Sequence, residues 1–207
     1  MTTTPEHFLS IAATPEPMLR RILAVAQRLR TEREQGRANQ PVLAGQTLAM
    51  IFEKPSLRTR VSFEQAMLEL GGHAMCLEQN MIGVGNRESP ADIARVLSGM
   101  VQAISARLFS HETLIELSQH SGVPVVNALT DLSHPCQALA DVMTIADEFG
   151  DELKGRVVTY VGDGNNVARS LAVLCGKLGL DFNLASPPGY ELEQSFADRI
   201  MSQVPGM

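Results

Sequence analysis

Thr47-Leu-Ala-Met-Ile-Phe52, then Glu53-Lys54-Pro55, then Ser56-Leu57-Arg58-Thr59-Arg60-Val61-Ser62-Phe63-Glu64 is the stretch on which the fold turns. The apolar run 47–52 has the length of a short buried strand. Lys54-Pro55 breaks it, because proline disfavours the helical region for the residue before it. Ser56 is a favourable N-cap, and Val61, Phe63, Ala66, Met67 and Leu70 fall roughly on one helical face until Gly71-Gly72. A strand running into a helix crowds Ser56, Arg58, Thr59 and Arg60 at a turn where free backbone N–H groups and the helix dipole favour an anion. Arginine at a helix start opposes that dipole, so a plain solvated basic turn leaves its presence unexplained. Two guanidinium forks with two hydroxyls make a phosphate cradle.

Outward from this stretch the chain alternates. Upstream, residues 1–14 are expected as a short irregular lead or half-turn, and Thr14-Pro15-Glu16 opens a helix whose apolar face is Met18, Leu19, Ile22, Leu23, Ala26 and Leu29. Downstream come a strand at 73–77, a loop at 79–88, a helix from Ser89-Pro90 to Val101, a strand at 103–109 carrying Arg107, a helix at 110–120 and a strand at 123–129. Asp131-Leu-Ser-His134-Pro135-Cys136-Gln137 leads into a helix ending near Phe149. The rhythm predicts an α/β fold with mainly parallel sheets, in which ligands sit outside the carboxyl ends of strands. Three stretches of interest (53–60, 107 and 130–137) lie at such ends.

The polar, glycine-bounded segment 149–155 marks a domain boundary, giving domains 1–150 and 151–207. Beyond it, a strand at 156–161, a turn Gly162-Asp163-Gly164-Asn165-Asn166, a helix at 167–178 and a strand at 181–185 make the start of a second Rossmann-like domain. Two strands cannot cover both faces of a parallel sheet, so this second domain is expected to be incomplete.

Composition narrows the partners. The 207 residues carry a formal charge of −6, which argues against general nucleic-acid binding, and the basic cluster at 54–60 is a local device. No stretch approaches the ~20 apolar residues of a membrane helix. Cys76, Cys136 and Cys175 are widely spaced, show no metal-ligand pattern and suit a reducing cytosol.

His134 stands at a strand end with Gln137 one helical turn on, a pair able to hold a small planar carbonyl or amide. Cys136 beside it invites a Cys–His nucleophile, but near neighbours at a helix start rarely face each other, and cysteine is commonly buried. Arg107, late in an apolar strand, suits an anion ligand better than an unpaired buried charge. Gly162-x-Gly164 partly matches a dinucleotide fingerprint but has Val167 in place of the third glycine, and the next strand ends without an acid for a ribose. NAD binding is therefore not expected.

Taken in order, Ser56-Leu-Arg-Thr-Arg60, Arg107 and His134-Pro-Cys-Gln137 resemble the carbamoyl phosphate site of the aspartate and ornithine carbamoyltransferases. Phe109-Ser-His-Glu-Thr-Leu, Asn127-Ala-Leu-Thr-Asp-Leu-Ser-His-Pro-Cys-Gln and Gly162-Asp-Gly-Asn-Asn resemble the ornithine branch, with similarity over residues 5–200. The resemblance implies a cytoplasmic homotrimer with active sites between subunits, acting on carbamoyl phosphate and L-ornithine without cofactor or metal. It assigns Ser56, Arg58, Thr59 and the Leu57 backbone N–H to the phosphate. Arg107 and His134 polarise the carbamoyl oxygen, Gln137 and the Pro135 carbonyl hold its nitrogen, and Asn166 meets ornithine. Leu57 stands where the family's Ser-Thr-Arg-Thr-Arg has threonine, and Gln79 is out of register with the glutamine a neighbouring subunit contributes. The later Asp-x-x-x-Ser-Met and His-Cys-Leu-Pro segments have no counterpart, so the chain is expected to be the N-terminal two-thirds of such an enzyme. Aspartate or N-acetylornithine as acceptor, and a non-catalytic carbamoyl phosphate-binding or oligomerisation module, are the competing expectations.

Overall fold

The structure, a computed structural model, describes residues 6–85 and 87–203. By internal contacts the chain divides into two units, Met1–Leu9 with Val25–Thr130 and Ser10–Ala24 with Asp131–Met207. Helix α1 is Glu16–Glu34.

The first unit is built on a four-stranded parallel sheet of β1 (Thr47–Phe52), β2 (His73–Glu78), β3 (Ala103–Arg107) and β4 (Val125–Leu129), in the order β2-β1-β3-β4. The central strand β1 is buried along its whole length except Thr47. Helices cover both of its faces, so it must be apolar throughout rather than at alternate positions. The alternation survives in the partners. Ala49 and Ile51 join Ile93, Ile104, Leu114 and Leu117 on one face, whereas Leu48, Met50 and Phe52 join Met67 on the other. Those layers come from α2 (Leu57–Glu69), α4 (Pro90–Ser98) and α5 (His111–His120).

Two segments hold more than the sequence expectation. The described part of the lead, residues 6–14, has no regular element and turns at 11–13, as expected, but Phe8 bridges Val126 in parallel, its N–H donating to the Val125 carbonyl and its carbonyl accepting from Asn127, both at 2.8 Å; residues 1–5 lie outside the described residues. The His7 Nδ1 accepts the Val125 N–H at 3.1 Å, and Asn127 Nδ2 donates to the Leu9 carbonyl at 2.8 Å. The outer edge of β4, otherwise a row of open backbone groups, is thereby paired. The loop at 79–88 contains a helical turn, α3 (Gln79–Ile82), and a bridge between Val84 and Glu88.

In the second unit α6 (Pro135–Phe149) packs on α7 (Asn166–Leu178), and β5 (Val157–Val161) pairs in parallel with β6 (Asp181–Ala185), its one strand partner among the described residues. Helix α8 (Gln194–Gln203) follows. Near the end of α7, Lys177 Nζ donates to the carbonyls of Ile11, Ala12 and Thr14 at 2.9, 2.9 and 2.6 Å. All three ammonium donors go to the turn that precedes α1.

Candidate active site

The carboxyl ends of the first sheet are level. Phe52 pairs with Glu78 on one side and Arg107 on the other, so whatever follows β1 and whatever ends β3 share one rim. Ser56 sits there in extended conformation (φ −160°, ψ 114°) as the N-cap of α2, its Oγ accepting the Thr59 N–H at 3.3 Å. The same Oγ donates to Thr59 Oγ1 at 3.0 Å. That oxygen in turn accepts from Arg107 Nη1 at 3.3 Å. Arg107 Nε donates to the Lys54 carbonyl at 3.2 Å, an oxygen available because Pro55 turns the chain out of the sheet. Ser56, Thr59 and Arg107 are thus joined in one hydrogen-bonded row. A cleft of about 420 Å³ opens beside it, lined by Phe52, Glu53, Ser56, Leu57, Arg60 and Gln79 among others.

Arg107 arrives by a local irregularity. Between Ala106 and Arg107 the register of β3 against β4 shifts, Ala106 pairing with Asn127 and Arg107 with Leu129, so the extra residue is Ala128 of β4. Burial first, and then the like charge of the Arg58 guanidinium, lower the Arg107 pKa from its ordinary value. No acidic residue stands in the first turn of α2 to offset them. An anion received there would remove the conflict and complete the open N–H groups of the helix start.

Arg60 does not join this group. Its Nε pairs with Glu64 Oε1 at 3.0 Å and its Nη1 with Glu78 Oε1 at 3.3 Å, so the cradle read from two guanidinium forks reduces to Arg58 and Arg107. Leu57 is 79% exposed, and its side chain contributes nothing to the row.

The other sequence-derived residues belong to the second unit. Pro135 opens α6, where its missing N–H is no loss. The His134 N–H donates at 2.9 Å to Ser170 Oγ of α7, which itself donates to the Asn166 carbonyl at 2.8 Å. A buried hydroxyl therefore ties the start of α6 to the start of α7, bringing His134 and Asn166 onto one partner. Gln137 Nε2 donates to Asp141 Oδ1 at 2.8 Å; burial raises the Asp141 pKa and this bond offsets part of the rise. Burial pushes the Cys136 thiol up to about 12, which removes the thiolate that a Cys–His nucleophile needs.

Asn165 and Gly164 have local duties. Asn165 Oδ1 caps α7, accepting from Val167 and Ala168 at 2.9 and 3.1 Å. A Cβ on Gly164 would lie 2.6 Å from the Leu192 nitrogen, so glycine is required there by the passing 191–192 backbone. Among the described residues, no group of three His, Cys, Asp or Glu side chains could hold a metal ion.

Sequence reasoning missed Ser170, Glu53 and the Lys54 carbonyl. Ser170, a hydroxyl between Ala168 and Leu171 on the apolar side of a helix, carries a readable signal, since a buried hydroxyl needs a partner. The backbone carbonyl leaves none.

Two family models match the chain: the carbamoyl-P binding domain of aspartate/ornithine carbamoyltransferase over residues 6–147, and the Asp/Orn binding domain over residues 154–206. An ornithine carbamoyltransferase of Bacillus subtilis is 54% identical over 159 residues, covering 77% of this chain and 50% of the relative. One of Thermus thermophilus is 45% identical over 197 residues, 95% of this chain and 64% of the relative. Among solved structures, the ornithine carbamoyltransferase from Pyrococcus furiosus superposes with a TM-score of 0.92 at 42% identity, covering 100% of this chain and 66% of that one. A mitochondrial enzyme from Coccidioides immitis gives 0.91 at 38% identity, covering 99% and 67%. The chain spans between half and two thirds of the length of these relatives.

Proposed function

The chain belongs to the aspartate/ornithine carbamoyltransferase family, and from that membership we propose that it binds carbamoyl phosphate and serves carbamoyl transfer to the δ-amine of L-ornithine, giving citrulline and phosphate. The observation that carries the proposal is the row Ser56–Thr59–Arg107 at the carboxyl rim of β1 and β3, with no acidic residue in the first turn of α2. In this assignment Ser56, Arg58, Thr59 and the Leu57 N–H hold the phosphate, and Arg107 meets the carbamoyl oxygen. His134 serves that oxygen as well, Gln137 and the Pro135 carbonyl serve the carbamoyl nitrogen, and Asn166 serves ornithine. The neutral amine attacks the carbamoyl carbon, a C–N bond forms, negative charge collects on oxygen, and the C–O bond to phosphate breaks as the amine loses its proton. Donors aimed at that oxygen lower the barrier directly, each worth about 10²–10³ in turnover.

The domain assignment, 1–150 for carbamoyl phosphate and 151–207 for part of an ornithine domain, is supported by the change of family model between residues 147 and 154. We further propose a homotrimer. Leu57, Val61 and Leu68 form an exposed apolar row on α2, and Met75 is exposed on the edge strand β2, a patch suited to a second copy of the chain. Among the described residues no helix is long and apolar enough to cross a membrane. A cytoplasmic location belongs to the same proposal, supported by Cys76 and Cys175, which form no disulfide among the described residues.

A second reading, binding without turnover, is favoured by the two-stranded sheet of the second unit, where Val157 and Val161 are exposed. Calorimetry with carbamoyl phosphate beside a citrulline assay separates the two. Saturable binding with citrulline formation supports transfer, saturable binding without it supports the module, and no binding overturns both. Replacing ornithine by aspartate or N-acetylornithine in the assay tests the acceptor.

A further inference from the structure

Glu53, the first residue past β1, makes two hydrogen bonds that bracket Leu108, the residue after Arg107. Its N–H donates to the Arg107 carbonyl at 2.9 Å, and its Oε2 accepts the Phe109 N–H at 2.8 Å. The intervening Leu108 N–H goes to the Leu129 carbonyl at 2.9 Å. Past the register shift between Ala106 and Arg107, β4 still takes the Leu108 N–H, whereas the Phe109 N–H goes to the Glu53 carboxylate. Lys54 completes the clasp: its carbonyl takes Arg107 Nε at 3.2 Å while its ammonium lies 5.3 Å from the centre of the Phe109 ring.

We infer that Glu53 is a positioning residue: its carboxylate fixes the Leu108–Phe109 peptide and so aims the Arg107 guanidinium at the anion site of Ser56 and Thr59. The inference rests on the phosphate assignment of that site. Charge alone gives the opposite expectation. Glu53 lines the same cleft as Ser56, and a carboxylate there repels an anion, so its removal should tighten phosphate binding. Geometry predicts that removal weakens binding, and the two signs cannot be confused.

The test is calorimetric titration of the 207-residue chain with inorganic phosphate and with carbamoyl phosphate, for wild type, Glu53→Ala, Glu53→Gln, Glu53→Asp and Arg107→Ala. The Arg107 Nε–H resonance serves as a spectroscopic signature. Loss of one charge-assisted hydrogen bond is worth about a tenfold change in affinity. Glu53→Ala is expected to weaken binding by about that factor and to broaden the Arg107 resonance. Glu53→Gln, which keeps an oxygen for the Phe109 N–H, restores affinity and a sharp resonance. Glu53→Asp keeps the charge but withdraws the oxygen, and behaves like alanine even if Glu53→Ala itself fails to fold. Unchanged or tighter binding by Glu53→Ala or Glu53→Asp, or a glutamine variant as weak as alanine, overturns the inference. If Arg107→Ala binds as wild type does, the phosphate assignment itself fails, whatever Glu53 does.

Discussion

Arg107 is anchored at Nε by a backbone carbonyl and at Nη1 by a hydroxyl, so its remaining donors meet a ligand without a search over rotamers. Hydrogen bonds to a charged group are worth about 1.5–3 kcal/mol, so Arg107→Ala should weaken carbamoyl phosphate binding by about ten- to a hundredfold in a calorimetric titration. Arg60→Ala is the contrast: its guanidinium is exposed and committed to Glu64 and Glu78, and the variant should bind within about twofold of wild type. Two histidines give the fold a pH dependence of known sign. Burial lowers the pKa of His7 and of His111 from the usual 6.5, and His7 Nδ1, as acceptor of the Val125 N–H, has no room for a proton. On acidification the unfolded chain protonates first, so stability is complete above about pH 6.5 and declines below it toward the lowered folded values. Urea midpoints measured from pH 7 to about 5 should fall, and less steeply in His7→Gln and His111→Gln; equal slopes would show that neither imidazole is held neutral.

The starts of α6 and α7 are joined by one side chain. Ser170→Ala leaves the His134 N–H without its acceptor in the interior, a loss of about 1–3 kcal/mol that a urea titration would register. A cost below about 0.5 kcal/mol would mean that water replaces the hydroxyl. Helix and strand identities were legible in the sequence because periodicity is a property of the chain itself: the run 47–52 and the Ser56 cap read directly as β1 and α2. The pairing of Phe8 with β4 was not, since a lead of mixed polarity shows no period, and its partner lies more than a hundred residues away. At the site, side chains that carry charge or sit in a motif were legible. Ser170, buried in an apolar helix face, and the Lys54 carbonyl act through position in space, which no spacing along the chain encodes.

Across the whole molecule the two units are unequally furnished. The first has a four-stranded sheet with its far edge paired by the lead, whereas β5 and β6 form a two-stranded sheet and Val161 is 81% exposed. Uncovered apolar side chains forfeit about 25 cal/mol per Å² of burial, so the second unit should open at lower free energy than the first. Limited proteolysis is expected to cut first beyond about residue 150 and to leave the first sheet intact, whereas first cuts within 47–129 would reverse that order of stability. The central claim is that the turn between β1 and α2, with Arg107, is a phosphate site. Its most direct test is a titration of the isotope-labelled chain with carbamoyl phosphate, followed by backbone amide shifts. The largest saturable shifts should fall on Leu57, Arg58 and Thr59 together with the Arg107 side chain. Saturable shifts centred instead on Gly162 to Asn166, with residues 56–59 unmoved, would contradict it.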